Sequence, residues 1–250
     1  MSNKLKVFII VCAVVFLTGL AATITGIALN GEKDIIKLHP WGWHISQGSG
    51  VSATVSLKGN DAKFDAMDLN LDFCSVDYKL GDQYSVNLTY DSKMKQPDMT
   101  IENGILKVNS QDEHFISGDK NGFTMILEIT VPKGTSLTEA TLNLDACQAN
   151  ISELDAKNLG LSMDIGELNA SGLTFDNAKF NLSLCDANIQ MDGKAADYGY
   201  EIHNGLGSTT MDGADVEKAS GNASAPHQYQ LDSDLGNVDI TYLQTSGSNL

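Results

Sequence analysis

The feature that most constrains the fold of this chain is an internal repeat. Copies of one decapeptide with alternating apolar and polar residues begin at Leu69, Leu142, Leu161 and Phe180, and looser copies begin at Tyr200 and Tyr229. The three central copies follow one another at a constant interval of 19 residues. A unit of this length, with room for strand, corner, strand and turn, is typical of a solenoid in which each coil completes the core of the next.

Apolar and polar residues alternate within the copies. Met67, Leu69, Leu71 and Phe73 alternate with Asp68, Asn70 and Asp72, which is the period of two expected for a strand with one buried face. The sequence therefore predicts an all-β fold, a β-solenoid-like stack of repeats of about 19–20 residues.

The alternation slips by one residue at the sixth position of each copy, so the chain must bend there to keep its apolar face inward. The residues at this predicted corner are small: Cys74, Cys147, Gly166, Cys185, Gly205 and, after a short insertion, Gly236. Small residues suit a tight corner. These three cysteines cannot complete a disulfide framework, and we interpret them as buried corner residues; the alternative is that Cys74 and Cys147 stack in neighbouring coils.

The first thirty residues differ from the rest. Residues 7–29 form an uncharged apolar run that is long enough to cross a bilayer as one helix. Lys4 and Lys6 precede the run, which places residues 1–6 in the cytoplasm by the positive-inside rule. A cleaved secretory signal is the alternative.

We expect a juxtamembrane linker over residues 30–50 and one extracytoplasmic domain over residues 51–250. In that linker Trp41 and Trp43 are candidates for contact with the membrane interface.

The charge of the chain restricts its partners. The formal net charge is −16, from 32 acidic and 16 basic residues, and every basic residue is lysine. Arginine is the side chain best suited to bind phosphate and carboxylate groups, so a chain without it is poorly equipped for nucleic acid. We expect contact with the membrane through residues 7–29, and with a protein or a neutral cell-wall polymer through the outward domain.

Asp145 and Asp164 are the candidate acidic residues of the outward face. They occupy equivalent positions one repeat apart, at an expected spacing of about 5 Å. Paired carboxylates cleave glycosidic bonds in some β-helix enzymes, which makes an enzyme acting on polysaccharide the first alternative function. No cofactor is predicted. Weak calcium binding is compatible with an aspartate-rich face, but the glycine- and aspartate-rich nonapeptide of calcium-loaded solenoids is missing.

The chain resembles a bacterial family of unknown function whose members are labelled putative adhesins. The resemblance rests on the apolar N-terminal run, on the segment from Phe64 to Asn109, and on glycine corners such as those that follow Tyr200 and Leu235. It implies a β-solenoid-like domain on the surface of bacteria of the Gram-positive type, with a role in adhesion and with no catalytic residues.

These observations together favour a non-enzymatic, membrane-tethered domain for interaction or scaffolding at the cell surface. A second alternative is an accessory protein of an envelope-stress signalling system. With six residues before the apolar run, such a signal would pass through helix association within the bilayer, where Gly19 and Gly26 permit close packing.

Overall fold

The computed structural model describes residues 37–39, 42–44, 52–91, 96–110 and 125–243. The chain divides into two compact units. In the smaller unit, Lys37–His39 (β1) pairs antiparallel with Gly42–His44 (β2). No helix within the described ranges is long and apolar enough to span a membrane. The predicted span over residues 7–29 and Trp41 lie outside these ranges, and Trp43 pairs with Leu38 in the β1–β2 hairpin.

The larger unit is built from strands, with two short 3-10 helices at Gly59–Ala62 and Ala195–Asp197. The prediction of an all-β, solenoid-like fold is therefore confirmed. Its strands are Ser52–Lys58 (β3), Ala66–Gly81 (β4), Ser85–Asp91 (β5), Asp98–Glu102 (β6), Ile105–Asn109 (β7), Met125–Pro132 (β8), Leu137–Ser152 (β9), Asp155–Asp192 (β10), Tyr198–Asn204 (β11), Ser208–Met211 (β12), Ala214–Asp215 (β13), Lys218–Gly221 (β14), His227–Leu235 (β15) and Asn237–Leu243 (β16).

Parallel pairing in constant register stacks the central rungs. Strand β9 pairs with the first half of β10 at an offset of 19 residues, so that Leu142 lies beside Leu161. The two halves of β10 are joined at the same offset, because Asn181 donates a hydrogen bond to Ser162 and Asn188 donates one to Asn169. A repeat of constant length needs no long connection, and the chain passes through these rungs in sequence order.

The order of the rungs departs from the order of the sequence at the C-terminal end. The copy that begins at Tyr229 pairs with the second half of β10, through β15 and β16. The copy that begins at Tyr200 pairs with β15 and β16 in turn, through β11 and β12. The last copy is thus inserted between its two predecessors. A stack in simple sequence order would have put Tyr200 beside Phe180.

The N-terminal end has the same kind of reversal. Strand β4 pairs with β9 on one side, and with β7 and β8 on the other. Antiparallel strands then cover the outermost parallel ones: β6 covers β7, β5 and β3 follow β8, and β14 and β13 cover β11 and β12. Because antiparallel strands can be joined by short turns, they close a stack that would otherwise present a long open edge.

The core lies between the two halves of the rungs and changes in character along the stack. The N-terminal and central rungs bury mainly aliphatic side chains, such as Leu69, Leu142 and Leu161. The C-terminal rungs bury five rings in mutual contact, those of Phe175, Phe180, Tyr198, Tyr229 and the half-buried Tyr242.

Candidate interaction surface at the solenoid corner

The corner of each rung is made by two successive residues that both point outward. In β9, Leu144 and Cys147 are buried, while Asp145 and Ala146 between them are not. One extra outward residue shifts the alternation by one, which is how a β-bulge redirects a strand. The same pair recurs on the other rungs, followed by a cysteine or glycine.

The corner residues form one column across six rungs. In spatial order the column contains Cys74, Cys147, Gly166, Cys185, Gly236 and Gly207. Gly166 and Gly236 have φ values of +147° and +126°, and a Cβ atom on them would lie 1.8 Å from the Cys147 carbonyl oxygen and 1.9 Å from that of Cys185. Glycine is therefore required at both positions, for backbone conformation and for space.

The structure places Gly205 beside the column. Its Cβ position faces the backbone of Asp234, whereas the residue against Gly236 is Gly207. The insertion that the sequence assigned to the last copy is thus present in the Tyr200 copy as well. The pairing of Tyr200 with Tyr229 fixes the register between the last two rungs of the stack, and therefore decides which glycine lies against Gly236. The sequence alone does not give that pairing.

All three cysteines of the described residues are buried free thiols. Cys147 Sγ donates to the Asp72 carbonyl oxygen at 3.0 Å, and Cys185 Sγ donates to the Met163 carbonyl oxygen at 3.2 Å. The thiols of Cys147 and Cys185 therefore each bind the neighbouring rung at the bend. Burial raises the pKa of the Cys185 thiol to about 11. Burial also raises the pKa of Cys74, and its contact with Cys147 adds to that shift.

The second outward residue of each corner is apolar and exposed on most rungs. We call this column the corner ridge; in spatial order it contains Phe73, Ala146, Ile165, Leu184, Leu235 and Leu206. Apart from Ala146, its members are between 42% and 85% exposed. Among the described residues they are five of the six exposed large apolar side chains, and the sixth is Leu243, which is 40% exposed. A continuous apolar column on an otherwise polar surface is typical of an interaction site.

Carboxylates flank the corner ridge on both sides. The preceding column contains Asp72, Asp145, Asp164, Ser183, Asp234 and Gly205, and the column after the corner contains Ser75, Gln148, Glu167, Asp186, Asn237 and Ser208. Six of these twelve residues are acidic, and none is basic. The ridge is therefore apolar along its crest and negative along its sides.

Asp145 and Asp164 are brought together on adjacent rungs, with Asp72 on the other side of Asp145. Partial desolvation at the corner raises the pKa of the outward-pointing Asp145 carboxyl, and the neighbouring carboxylates of Asp72 and Asp164 raise it further. A carboxyl of this kind can hold a proton among like charges. Within the described ranges, no group of three or more His, Cys, Asp or Glu side chains is arranged to hold a metal ion.

Polar ladders cover the strand faces beside the corner. Asn150 donates to Asp77, Asn188 donates to Asn169, and Ser208 donates to Asn237 on the neighbouring rung. These side chains satisfy one another across the rungs, so they stabilise the stack. The corner ridge, by contrast, offers apolar side chains to solvent.

A shallow cavity of about 600 Å³ lies near the C-terminal end of the stack. Amide, hydroxyl and aromatic groups line it, with one carboxylate and no lysine; the lining residues include Asn177, Tyr200, Glu201, Asn222, Gln228 and Gln230. Such a lining suits a neutral polar ligand better than an anionic one.

Sequence reasoning missed the corner ridge. Its signal is present at the fifth position of the copies, where Phe73, Ile165 and Leu184 are apolar. In regular alternation that position would point into the core together with positions one and three. The extra outward residue at the bend turns the fifth position to solvent instead. This change of direction is seen only in the burial of the side chains in the structure.

Comparison with known proteins places these features in a family. The family described as Toastrack DUF4097 matches residues 64–249. A structure from Clostridium sporogenes described as a putative cell adhesion protein has a TM-score of 0.57 and 13% identity, over 77% of this chain and 100% of its own. A likeness at this identity shows a shared fold.

Two further structures match at lower similarity. A putative adhesin from Bacteroides fragilis has a TM-score of 0.33 and 12% identity over 79% of this chain and 100% of its own. A putative lipid binding protein from Parabacteroides distasonis has a TM-score of 0.28 and 12% identity over 80% of this chain and 99% of its own. None of these three descriptions names an enzyme. No curated protein matches the chain.

Proposed function

Because this chain belongs to the Toastrack DUF4097 family, we propose that its β domain is a non-enzymatic domain for interaction or scaffolding at the cell surface, tethered to the membrane through residues 7–29. The observation that carries the proposal is the corner ridge. Ile165, Leu184 and Leu235 lie in adjacent rungs and expose apolar side chains side by side. Exposed apolar columns of this extent are costly in water and are normally covered by a partner.

The architecture supports this role. Stacked repeats present the same side chains at regular intervals, and extended repeat surfaces are well suited to binding another macromolecule. The strand faces on either side are polar and internally hydrogen-bonded, so the ridge is the part of the surface with most to gain from contact. The shared fold with a structure described as a putative cell adhesion protein agrees with the proposal.

The proposal is tested with the full chain in lipid nanodiscs, against purified peptidoglycan, teichoic acid, extracellular matrix proteins and calcium. We expect saturable binding to a protein without turnover, and loss of that binding in the triple variant Ile165→Ser, Leu184→Ser, Leu235→Ser. Glycan cleavage that disappears in Asp145→Asn with Asp164→Asn would replace the proposal with the polysaccharide-acting enzyme.

A neutral cell-wall polymer is a second candidate partner, favoured by the lining of the C-terminal cavity. The side-chain amides of Asn177, Gln228 and Gln230 line the cavity and are groups of the kind that bind sugar hydroxyls, and the absence of lysine from this lining removes any preference for an anionic polymer. The replacement Gln230→Ala should weaken binding to an insoluble neutral glycan in a sedimentation assay, whereas the triple ridge variant should retain it. Equal binding by Gln230→Ala and the parent chain would exclude the cavity as the binding site.

A further inference from the structure

The corner ridge carries an inference about the chemistry of its partner, which rests on the function proposed above. We infer that the partner is a cationic amphipathic segment of another protein, which lies along the corner ridge. Its apolar side chains contact Ile165, Leu184 and Leu235, and its lysine or arginine side chains lie against the carboxylates on both sides.

The first argument is charge. Each corner is a tetrapeptide made of a flanking residue, a ridge residue, a corner residue and a second flanking residue. The six tetrapeptides contain no lysine and six carboxylates, those of Asp72, Asp145, Asp164, Glu167, Asp186 and Asp234. No ion pair between described residues uses any of these carboxylates. Their charge is therefore not neutralised by a cation in this part of the chain, and it attracts one from outside.

The raised pKa of Asp145 is consistent with this geometry. Partial desolvation and two like charges disfavour its ionised form, so a cation placed beside Asp72 and Asp145 would relieve repulsion that the isolated domain retains. Asp186 is already used in part, because it accepts hydrogen bonds from the Asn237 backbone and side chain. The column that contains Asp72, Asp145 and Asp164 therefore attracts cations more strongly than the column that contains Asp186.

The same charges disfavour the other occupants of an apolar ridge. Two copies of this chain packed ridge to ridge would bring six carboxylates against six without a compensating cation. A surface of anionic lipid would meet the same repulsion, reinforced by the formal net charge of −16. A partner with apolar and positive side chains together meets neither penalty.

The dimensions of the ridge fit a short helix. Five steps between six rungs span about 24 Å at 4.8 Å per step. A helix of about 16 residues has that length, and it presents an apolar side chain about every 5.4 Å along one stripe, close to the spacing of the rungs. A helix laid along the ridge can therefore place one apolar side chain near each rung.

The test uses the full chain in nanodiscs of phosphatidylcholine and three synthetic 18-residue peptides. The first contains leucine and lysine at amphipathic spacing, the second replaces each lysine with glutamate, and the third replaces each leucine with serine. Each peptide carries one photoreactive side chain. Empty nanodiscs give the background, and mass spectrometry locates the crosslinks on the chain.

Two variants and two matched controls separate the apolar from the ionic contribution. The ridge variant carries Ile165→Ser, Leu184→Ser and Leu235→Ser, and the charge variant carries Asp145→Asn, Asp164→Asn and Asp234→Asn. Leu243→Ser removes an exposed apolar side chain away from the ridge, and Asp176→Asn removes an exposed carboxylate away from it. Thermal unfolding verifies that every variant is folded, and the charge variant still tests the inference if the ridge variant is not.

We expect the leucine–lysine peptide to crosslink at the corner ridge, with at least a tenfold loss of affinity in either variant and no loss in the controls. The glutamate and serine peptides should not bind. Equal binding by the charge variant, or binding of the glutamate peptide, would overturn the cationic partner and leave the proposed function standing. Self-association of the parent chain that is lost in the ridge variant would also overturn the cationic partner and leave the proposed function standing, because the occupant of the ridge would then be a second copy of this chain. Full binding by the ridge variant would overturn both.

Discussion

The central rungs over residues 137–171 and the C-terminal rungs over residues 173–243 share one design but are stabilised differently. The central rungs follow one another at 19 residues, and their core is aliphatic. The C-terminal rungs are joined at offsets of 29 and 51 residues, they stack out of sequence order, and their core is a cluster of rings. The difference shows that constant repeat length determines the neighbour of a rung, whereas a variable length leaves that choice to side-chain packing.

The largest effect should come from the corner glycines, which are common to both regions. Gly166→Ala and Gly236→Ala combine a strained φ with a clash against a carbonyl oxygen, and each should lower the free energy of unfolding by about 3–5 kcal/mol. Gly213→Ala is the control: its φ is +77° but its Cβ position is open, so it should cost about 1 kcal/mol. Urea denaturation measures all three. Equal costs for the three variants would show that the clash contributes nothing.

The aromatic core of the C-terminal rungs should be more sensitive to shape than the aliphatic core. Phe175 contacts the rings of Phe180, Tyr198 and Tyr229 at centroid distances of 6.3, 5.6 and 6.4 Å. Phe175→Leu removes these edge contacts and should cost about 2–3 kcal/mol, while Met163→Leu in the central rungs should cost less than about 1.5 kcal/mol. Thermal and urea unfolding measure both. A smaller cost for Phe175→Leu than for Met163→Leu would refute the distinction.

The tyrosine hydroxyls sharpen the same comparison. Tyr229 Oη lies 2.9 Å from Tyr242 Oη, whereas the buried Tyr78 hydroxyl has no hydrogen-bond partner among the described residues. Tyr229→Phe should therefore lower stability by about 1 kcal/mol, because Tyr242 loses its hydroxyl partner and keeps only the weak acceptor Met211 Sδ. Tyr78→Phe should be neutral or stabilising, since it removes a polar group that is buried without a bond. Urea denaturation of the two variants decides between this account and one based on ring volume alone.

The smallest expected effect concerns the stacked aspartates. The pKa of Asp145 is raised above its ordinary value of 3.8 in the folded state, so the native state binds this proton more tightly than the unfolded state. The stability contributed by this group is present below pH 3.8 and is lost as the pH rises through the raised pKa. Asp145→Asn should therefore stabilise the chain by a few tenths of a kcal/mol at pH 7, and not at pH 3.

Asp234→Asn is the matched control for the aspartate prediction. In its column Asp234 lies between Ser183 and Gly205, so neither of its neighbours in the column carries a charge that could repel it. Its replacement should leave the stability at pH 7 unchanged. A gain equal to that of Asp145→Asn would indicate that net charge, and not stacking of carboxylates, is responsible.

The fold was largely predictable, and the corner residues were partly so. The alternation around Leu69 and the 19-residue interval from Leu142 predict stacked strands, because side chains at a period of two must share one buried face. Small residues at Cys74, Cys147 and Gly166 indicate where the chain bends. The roles of these residues differ in the structure, since Gly166 has a positive φ that the cysteines do not share.

The sequence by itself determined the periodicity, the position of the bend in each copy and the negative charge of the chain, because these depend on local order and composition. Only the tertiary structure decided that the Tyr229 copy lies between Phe180 and Tyr200, and that Leu184 and its equivalents point to solvent. Both depend on which strands pair and in what register. A register is a property of two segments far apart in the chain, selected by packing that neither segment specifies alone.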